Sequence, residues 1–106
     1  MRPHLPTLAA AVVLPALFLP AFAAPDEAGR TVFLDQAEPR CGVCHTLADA
    51  GTTGEVGPNL DLLKPDAERV KAAVTNGIGV MPAFEDLSPD QIEAVARYVS
   101  GAASRK

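Results

Sequence analysis

The segment of the sequence from Arg40 to Leu47, RCGVCHTL, contains both cysteines of the chain. Cys41 and Cys44 are separated by two residues, and His45 follows directly. The one other histidine, His4, lies in the apolar N-terminal stretch. Beyond the N-terminal stretch, all thiol and imidazole groups therefore lie within one short segment. A ligand bound by these groups would limit how the chain can fold.

The N-terminal stretch has the layout of a secretory signal peptide. Arg2 precedes an apolar run from Leu5 to Leu19, and the small-residue site Ala21-Phe22-Ala23 follows. The run is short for a membrane span and prolines interrupt it, so we expect cleavage after Ala23 in preference to a retained anchor. Residues 1–23 are then a signal peptide, and residues 24–106 form one exported domain without stable membrane insertion.

The expected mature chain is small and acidic. It has 106 − 23 = 83 residues, and its 8 Lys and Arg (9 less Arg2) stand against 13 Asp and Glu, a formal charge of −5. Such a surface argues against nucleic acid as a partner. Phe33, Phe84 and Tyr98 are its only aromatic residues. A core this thin usually needs a disulfide, a metal or a cofactor for stability.

Helix signals dominate this part of the chain, and no segment alternates apolar and polar residues as a strand does. We expect a first helix over residues 26–36, a second over 65–76 and a last over 88–101. The Gly- and Pro-rich segments 50–60 and 77–86 are predicted loops. Loops of this length in a small domain are usually functional. The predicted fold is all-α, with three to four helices.

Local signals support each helix. The first carries apolar residues on one side, with a glycine one turn before the aromatic: Ala28, Gly29, Val32 and Phe33. The second has acids in its first turn, a buried face and a Gly C-cap: Asp66, Glu68, Val70, Ala73, Val74 and Asn76-Gly77. The last begins with a capping box, has an apolar face and ends at a glycine: Leu87, Ser88, Pro89, Gln91, Ile92, Val95, Ala96, Val99 and Gly101.

Cys-x-x-Cys-His is the attachment signature of c-type haem. Thiols three positions apart lie on one side of a helical turn, so both can reach the vinyl groups at one porphyrin edge. The adjacent imidazole then points at the iron. We therefore expect one covalent haem c, bound through Cys41 and Cys44, with His45 as an iron ligand.

Other uses of the motif fit the chain less well. A zinc site needs four ligands, and carboxylates would have to complete it here. A thioredoxin-like redox pair follows a buried strand, whereas the polar DQAEPR precedes Cys41. A disulfide between Cys41 and Cys44 would close a tiny loop and stabilise little, and it would leave His45 without a role.

Six-coordinate haem iron needs a second axial ligand, commonly His or Met. Met81 is the only methionine after the initiator, and it lies in the second predicted loop with Pro82 directly after it. A lone methionine can also be a core filler, but this setting favours a ligand. Lys64, Lys71 or an open site are the alternatives. His45 needs an acceptor for its other ring nitrogen, and the carbonyl of Pro58 can supply one.

These motifs together resemble the small bacterial, monohaem class I cytochromes c. The matching residues run through the whole expected mature chain: Gly29, Phe33, Cys41, Cys44, His45, Gly57-Pro58-Asn59-Leu60, Met81-Pro82 and Tyr98. The resemblance implies that His45 and Met81 ligate the iron and that the Pro58 carbonyl accepts from His45. It also implies that first and last helices cross at Gly29 and Phe33, near Ala94 and Tyr98. The chain departs from the family in lacking a tryptophan for a haem propionate.

The resemblance implies a periplasmic electron carrier and not an enzyme. The expected partners are redox proteins, with a periplasmic dehydrogenase as donor and an oxidase or another cytochrome as acceptor. Segment 45–66 also resembles small cytochromes associated with sulfite-oxidising dehydrogenases, so a subunit or dedicated acceptor of such an enzyme is the alternative. A ligand-binding or sensor haem protein is less favoured. We expect Glu55, Glu85 and Asp86 to line the rim of the docking surface.

Overall fold

The computed structural model describes residues 2–6, 9–16 and 25–106. The predicted cleavage site after Ala23 lies outside the described residues. Residues 2–6 and 9–16 form neither helix nor strand. Among the described residues, no helix is both long enough and apolar enough to cross a membrane.

The described part of the chain from residue 25 onward is mostly helical, as predicted. A π-helical turn extends the first helix, and a two-stranded antiparallel hairpin with a 3-10 turn at its tip follows the cysteine segment. The elements are α1 (Pro25–Thr31), the π-helical turn (Val32–Gln36), α2 (Cys41–Cys44), β1 (Thr46–Leu47), the 3-10 turn (Ala48–Ala50), β2 (Thr52–Thr53), α3 (Leu60–Leu63), α4 (Ala67–Asn76) and α5 (Pro89–Ser104). The hairpin and α3 were not predicted.

Helices α1 and α5 cross at a glycine, as predicted. A β-carbon on Gly29 would collide with the Ala94 carbonyl oxygen and with the β-carbon of Tyr98. One turn later, the Phe33 ring meets the Tyr98 ring edge-on, with centroids 6.1 Å apart and planes at 65°. Ala28 was expected on this side but is exposed. The contact centres on Gly29, and the neighbouring residue is turned about 100° around the helix toward solvent.

Helix α4 begins at Ala67, two residues later than the predicted start at residue 65, and ends at Asn76 as predicted. Asp66 is not in the first turn but at the N-cap, where its carboxylate accepts from the Arg69 N–H over 2.8 Å. Val74 is buried, and Gly77 ends the helix at φ 71°.

Helix α5 starts as predicted and ends later than predicted. The capping box is complete: the Gln91 N–H donates to Ser88 Oγ over 3.1 Å, and the Gln91 side chain accepts from the Ser88 N–H over 2.8 Å. The helix then continues past Gly101 to Ser104. Ala102 and Ala103 are buried in the core, and this packing outweighs the low helix propensity of one glycine.

The hydroxyl of Tyr98 connects α5 to the segment that follows the cysteines. It donates to the Asp49 carboxylate over 2.6 Å, and Arg105 forms an ion pair with the same carboxylate. Burial, together with this anionic partner, raises the pKa of Tyr98 well above its ordinary value, so the hydroxyl stays protonated. The 3-10 turn after His45 is thereby held against the helical core.

Candidate cofactor site

The two cysteines and the histidine lie on a single helical turn and its exit. In α2 the His45 N–H donates to the Cys41 carbonyl over 3.0 Å, after which the chain becomes extended. Both cysteines are free and partly buried. Burial, with a smaller contribution from Cys44, raises the pKa of Cys41 to about 11, so it is a neutral thiol at neutral pH.

The ring of His45 is oriented by the loop that follows the hairpin. Its Nδ1 lies 2.7 Å from the Pro58 carbonyl oxygen. A carbonyl oxygen only accepts, so Nδ1 must carry the proton. The lone pair of Nε2 is then available to a metal, which is the tautomer that an iron ligand requires.

Gly57 provides the space for this ring. A β-carbon at position 57 would lie 2.5 Å from Cε1, 2.9 Å from Nδ1 and 3.0 Å from Nε2 of His45. Gly57 belongs to the Gly-Pro-Asn-Leu motif, but no role for it was predicted from the sequence. Its position directly before Pro58 was the available signal, because only glycine permits so close an approach to a side chain.

The predicted loop over residues 50–60 packs onto the cysteine turn itself. The Gly57 N–H donates to the Cys44 carbonyl over 2.7 Å. A β-carbon on Gly54 would lie 2.6 Å from the carbonyl oxygens of Gly42 and Val43. Glycine at 54 and 57 therefore lets the loop backbone touch the α2 backbone, and together they form one wall of the site.

Helix α3 completes that wall. The Asn59 side chain caps it by accepting from the N–H groups of Asp61, over 2.9 Å, and Leu62, over 3.3 Å. Leu60 is then buried, and both Leu60 and Leu63 line the cavity. Asn followed by LDLL is an N-cap signal, although α3 was not predicted from it.

Met81 is held by a tight turn at the end of α4. Ile78 and Met81 exchange two backbone hydrogen bonds of 3.0 Å each. Gly79, the first central residue of that turn, has φ +57°, the glycine position of a type II′ turn. Met81 is partly buried and packs against the core. The turn thus fixes the backbone that carries the thioether.

A cavity of about 580 Å³ lies between these elements, within the range of small-molecule and cofactor sites. Cys41, Cys44, His45, Pro58 and Met81 all line it. Most of the remaining lining is apolar and comes from the helical core, including Phe33, Val70, Val74, Phe84, Val95 and Val99. The basic residues that line the cavity are Arg40 and Arg69.

The cavity suits an apolar macrocycle with a metal centre and an anionic edge. Two cysteines, a histidine and a methionine line one apolar space, and two arginines line it as well. The lysines considered as alternative ligands are engaged elsewhere: Lys64 Nζ donates to the Ala103 carbonyl over 2.8 Å, and Lys71 pairs with Glu93 over 2.9 Å. Among the described residues, no group of three or more His, Cys, Asp and Glu could hold a metal ion.

Comparison with known proteins agrees with this site. The family described as "Cytochrome C oxidase, cbb3-type, subunit III" matches residues 24–99. Cytochrome c6 of Gloeothece citriformis is 40% identical over 85 residues, covering 76% of this chain and 74% of the relative. Cytochrome c6 of Nostoc sp. is 40% identical over 93 residues, covering 79% and 77%. The crystal structure of the c-type cytochrome SorU from Sinorhizobium meliloti is 64% identical, with a TM-score of 0.74, and covers 74% of this chain and 91% of that chain.

Proposed function

Because the chain belongs to the cytochrome c family, we propose that it is a periplasmic one-electron carrier with His45 and Met81 as its axial ligands. Membership of the family confirms the expected all-α class, the covalent haem c and the electron-transfer function, and it confirms that the chain is a carrier and not an enzyme. The ligands, the compartment and the partners belong to the proposal.

One observation carries the ligand assignment. The 2.7 Å contact between His45 Nδ1 and the Pro58 carbonyl leaves Nε2 as the ring nitrogen that can bind a metal. Cys41 and Cys44 lie on the turn that ends at this histidine and would hold the porphyrin edge by two thioether bonds. The haem supplies the reversible oxidation and reduction of iron.

Met81 is the proposed second ligand. It lines the same cavity as His45, and its backbone is fixed by the turn that begins at Ile78. A thioether ligand raises the reduction potential of haem iron, so a positive midpoint potential is expected. The ion pairs and hydrogen bonds of Lys64 and Lys71 support this choice, since neither amine is free to approach the cavity without losing its partners.

The chain lacks the tryptophan that binds a haem propionate in the family, and two arginines are candidates for this role. Arg40 and Arg69 line the cavity, and guanidinium groups pair well with carboxylates. We assign them to the anionic edge of the haem, where they would offset the charge of the propionates in an otherwise acidic protein.

The compartment and the mature form follow from the N-terminal sequence. Residues 1–23 are proposed as a signal peptide cleaved after Ala23, which leaves residues 24–106 as the cytochrome c domain. Both cysteines are free, so both can form thioether bonds to the haem.

Redox proteins are the partners of a cytochrome of this family. The finer proposal is a periplasmic dehydrogenase as donor and an oxidase or another cytochrome as acceptor. The acidic, exposed residues Glu55, Glu85 and Asp86 lie in the two loops that border the cavity and would form the rim of the docking surface. A second candidate, a dedicated acceptor or subunit of a sulfite-oxidising dehydrogenase, rests on the resemblance of segment 45–66.

The test is a redox titration of the purified holoprotein, monitored by absorption spectroscopy. A one-electron couple with a positive midpoint, in a low-spin protein that does not bind carbon monoxide when reduced, is the expected result. Carbon monoxide binding would instead indicate an open sixth site and a ligand-binding or sensor protein. Co-purification with a larger enzyme would favour the second candidate.

A further inference from the structure

A threonine of the hairpin holds the backbone of the proposed iron ligand. Thr52 Oγ1 donates to the His45 carbonyl oxygen over 2.9 Å and accepts from the Leu47 N–H over 3.1 Å. The other carbonyl within reach, that of Leu47, is farther away at 3.5 Å. One hydroxyl group therefore closes the hairpin and fixes the carbonyl group of His45.

The methyl group of the same threonine packs against the cysteine turn. A β-carbon on Gly42 would collide with Thr52 Cγ2. The hydroxyl and the methyl are both attached to the β-carbon, so one χ1 rotamer sets both contacts. Thr52 thus makes a polar contact with His45, directly after α2, and an apolar contact with Gly42, within α2.

Helix α2 depends on such contacts because it is a single turn. The carbonyl groups at the end of a helix have no partner inside it. The Gly57 N–H donates to the Cys44 carbonyl over 2.7 Å, and the Thr52 hydroxyl donates to the next carbonyl, that of His45. His45 itself is extended, with φ −120° and ψ 137°. Pro58 restrains its ring, and Thr52 restrains the backbone that carries the ring.

We propose that Thr52 is a positioning residue for His45, and that its hydroxyl, acting through the His45 carbonyl group, sets the orientation of the imidazole plane at the iron. The proposal rests on the proposed function, because it takes His45 to be the iron ligand. Without the hydroxyl, the His45 backbone loses a restraint and the imidazole can occupy a wider range of orientations.

The experiment compares Thr52→Val with Thr52→Ser in the ferric holoprotein. Valine keeps the shape and removes the hydroxyl, whereas serine keeps the hydroxyl and removes the methyl group. The haem methyl resonances in the paramagnetic NMR spectrum and the EPR g-values report the orientation of the axial imidazole. Both should change in Thr52→Val and return close to the wild type in Thr52→Ser. Amide exchange at Leu47, whose N–H donates to the Thr52 hydroxyl, should become roughly 2- to 12-fold faster in Thr52→Val, the effect of losing one hydrogen bond.

Thr53→Val is the matched control. Thr53 is exposed, lies in the same strand and pairs with Thr46, and among the described residues its hydroxyl makes no hydrogen bond. It should leave the NMR and EPR spectra unchanged. Equal spectral changes in Thr52→Val and Thr53→Val, or unchanged spectra in Thr52→Val, would overturn the proposal.

His45→Ala separates this proposal from the proposed function. If His45→Ala keeps the low-spin spectrum of the wild type, then His45 is not the ligand and both proposals fail. If His45→Ala loses that spectrum while Thr52→Val keeps the wild-type resonances, only the role of Thr52 is wrong.

Discussion

Gly57 lies in direct contact with the imidazole of His45, at a distance where a β-carbon would come within 2.5 Å of Cε1. Two restraints thus act on the same ring: the Pro58 carbonyl binds its Nδ1, and the backbone of the preceding residue covers the ring atoms. The glycine and the proline are adjacent, so a shift of this loop moves both restraints together.

Gly57→Ala is expected to displace the imidazole. The added methyl group must push the ring or the loop away, which weakens the hydrogen bond to Pro58 and the bond to the metal. The ferric spectrum should show a high-spin fraction, and the midpoint potential should change. Gly51→Ala is the control: Gly51 has φ +68° and nothing within 4 Å of a β-carbon, so alanine there should cost stability through backbone strain and leave the spectrum intact. A normal spectrum in Gly57→Ala would show that the loop can yield.

Covalent attachment through the two cysteines can be tested on denatured protein. Haem should stay with the polypeptide on a denaturing gel, and Cys44→Ser should lose most of that signal because one thioether bond is missing. Cys41→Ser is the matched variant and should weaken attachment as well. Release of haem from the wild type by acid-acetone would contradict the assignment, since a thioether-bound porphyrin cannot be extracted.

Met81→Ala is expected to remove the sixth ligand. The weak charge-transfer band at the red end of the ferric spectrum should disappear, the midpoint potential should fall, and the reduced protein should bind carbon monoxide. Lys64→Ala and Lys71→Ala, each of which removes a lysine considered as an alternative ligand, should keep the band. An unchanged spectrum in Met81→Ala would exclude Met81 as the ligand.

Substitution by alanine should have opposite effects on stability at two helical glycines, because Gly29 lies at the crossing of α1 and α5 and Gly101 does not. Gly29→Ala should destabilise the holoprotein by about 1–3 kcal/mol, because its methyl group collides with the backbone at Ala94. Gly101→Ala should stabilise it by up to about 1 kcal/mol, since alanine favours the helix. The nearest atom to a β-carbon at Gly101 is the mobile end of Arg105, at 3.4 Å. Guanidinium unfolding curves measure both, and a stabilised Gly29→Ala protein would refute the close contact.

The acidic rim predicts the salt dependence of electron transfer. Oxidation of the reduced protein by a cationic cobalt complex should slow as ionic strength rises, because salt screens the attraction beyond about 10 Å at 0.1 M. Ferricyanide, an anion, should show the opposite trend. Glu85→Lys with Asp86→Lys should lower the low-salt rate with the cationic complex and leave the midpoint potential nearly unchanged.

Glu27→Lys with Asp35→Lys makes the same change in net charge in α1 and the π-helical turn, outside the two loops that contain Glu55, Glu85 and Asp86. It should affect the rate with the cobalt complex less than the loop substitutions do. Equal effects of the two pairs would mean that net charge alone steers the encounter and that Glu85 and Asp86 form no docking rim.

Some features of this protein are determined by residues close together in the chain. The capping box of Ser88 and Gln91 depends on a spacing of three residues, and it formed as predicted. The spacing of Cys41 and Cys44 puts both on one helical turn, and His45 is the residue that directly follows this turn. Met81 could be singled out from the sequence because the chain offers no other thioether after the initiator.

Other features were decided only in the tertiary structure, because they depend on contacts between distant segments. Helix α5 passes Gly101 since Ala102 and Ala103 find a buried surface, and Ala28 is exposed since the crossing centres on Gly29. The hairpin and the roles of Thr52 and Gly57 arise where the loop meets the cysteine turn. A local pattern records which residues prefer a helix or a cap; it does not record which atoms of a loop will touch the imidazole, because that is set by packing of the whole domain.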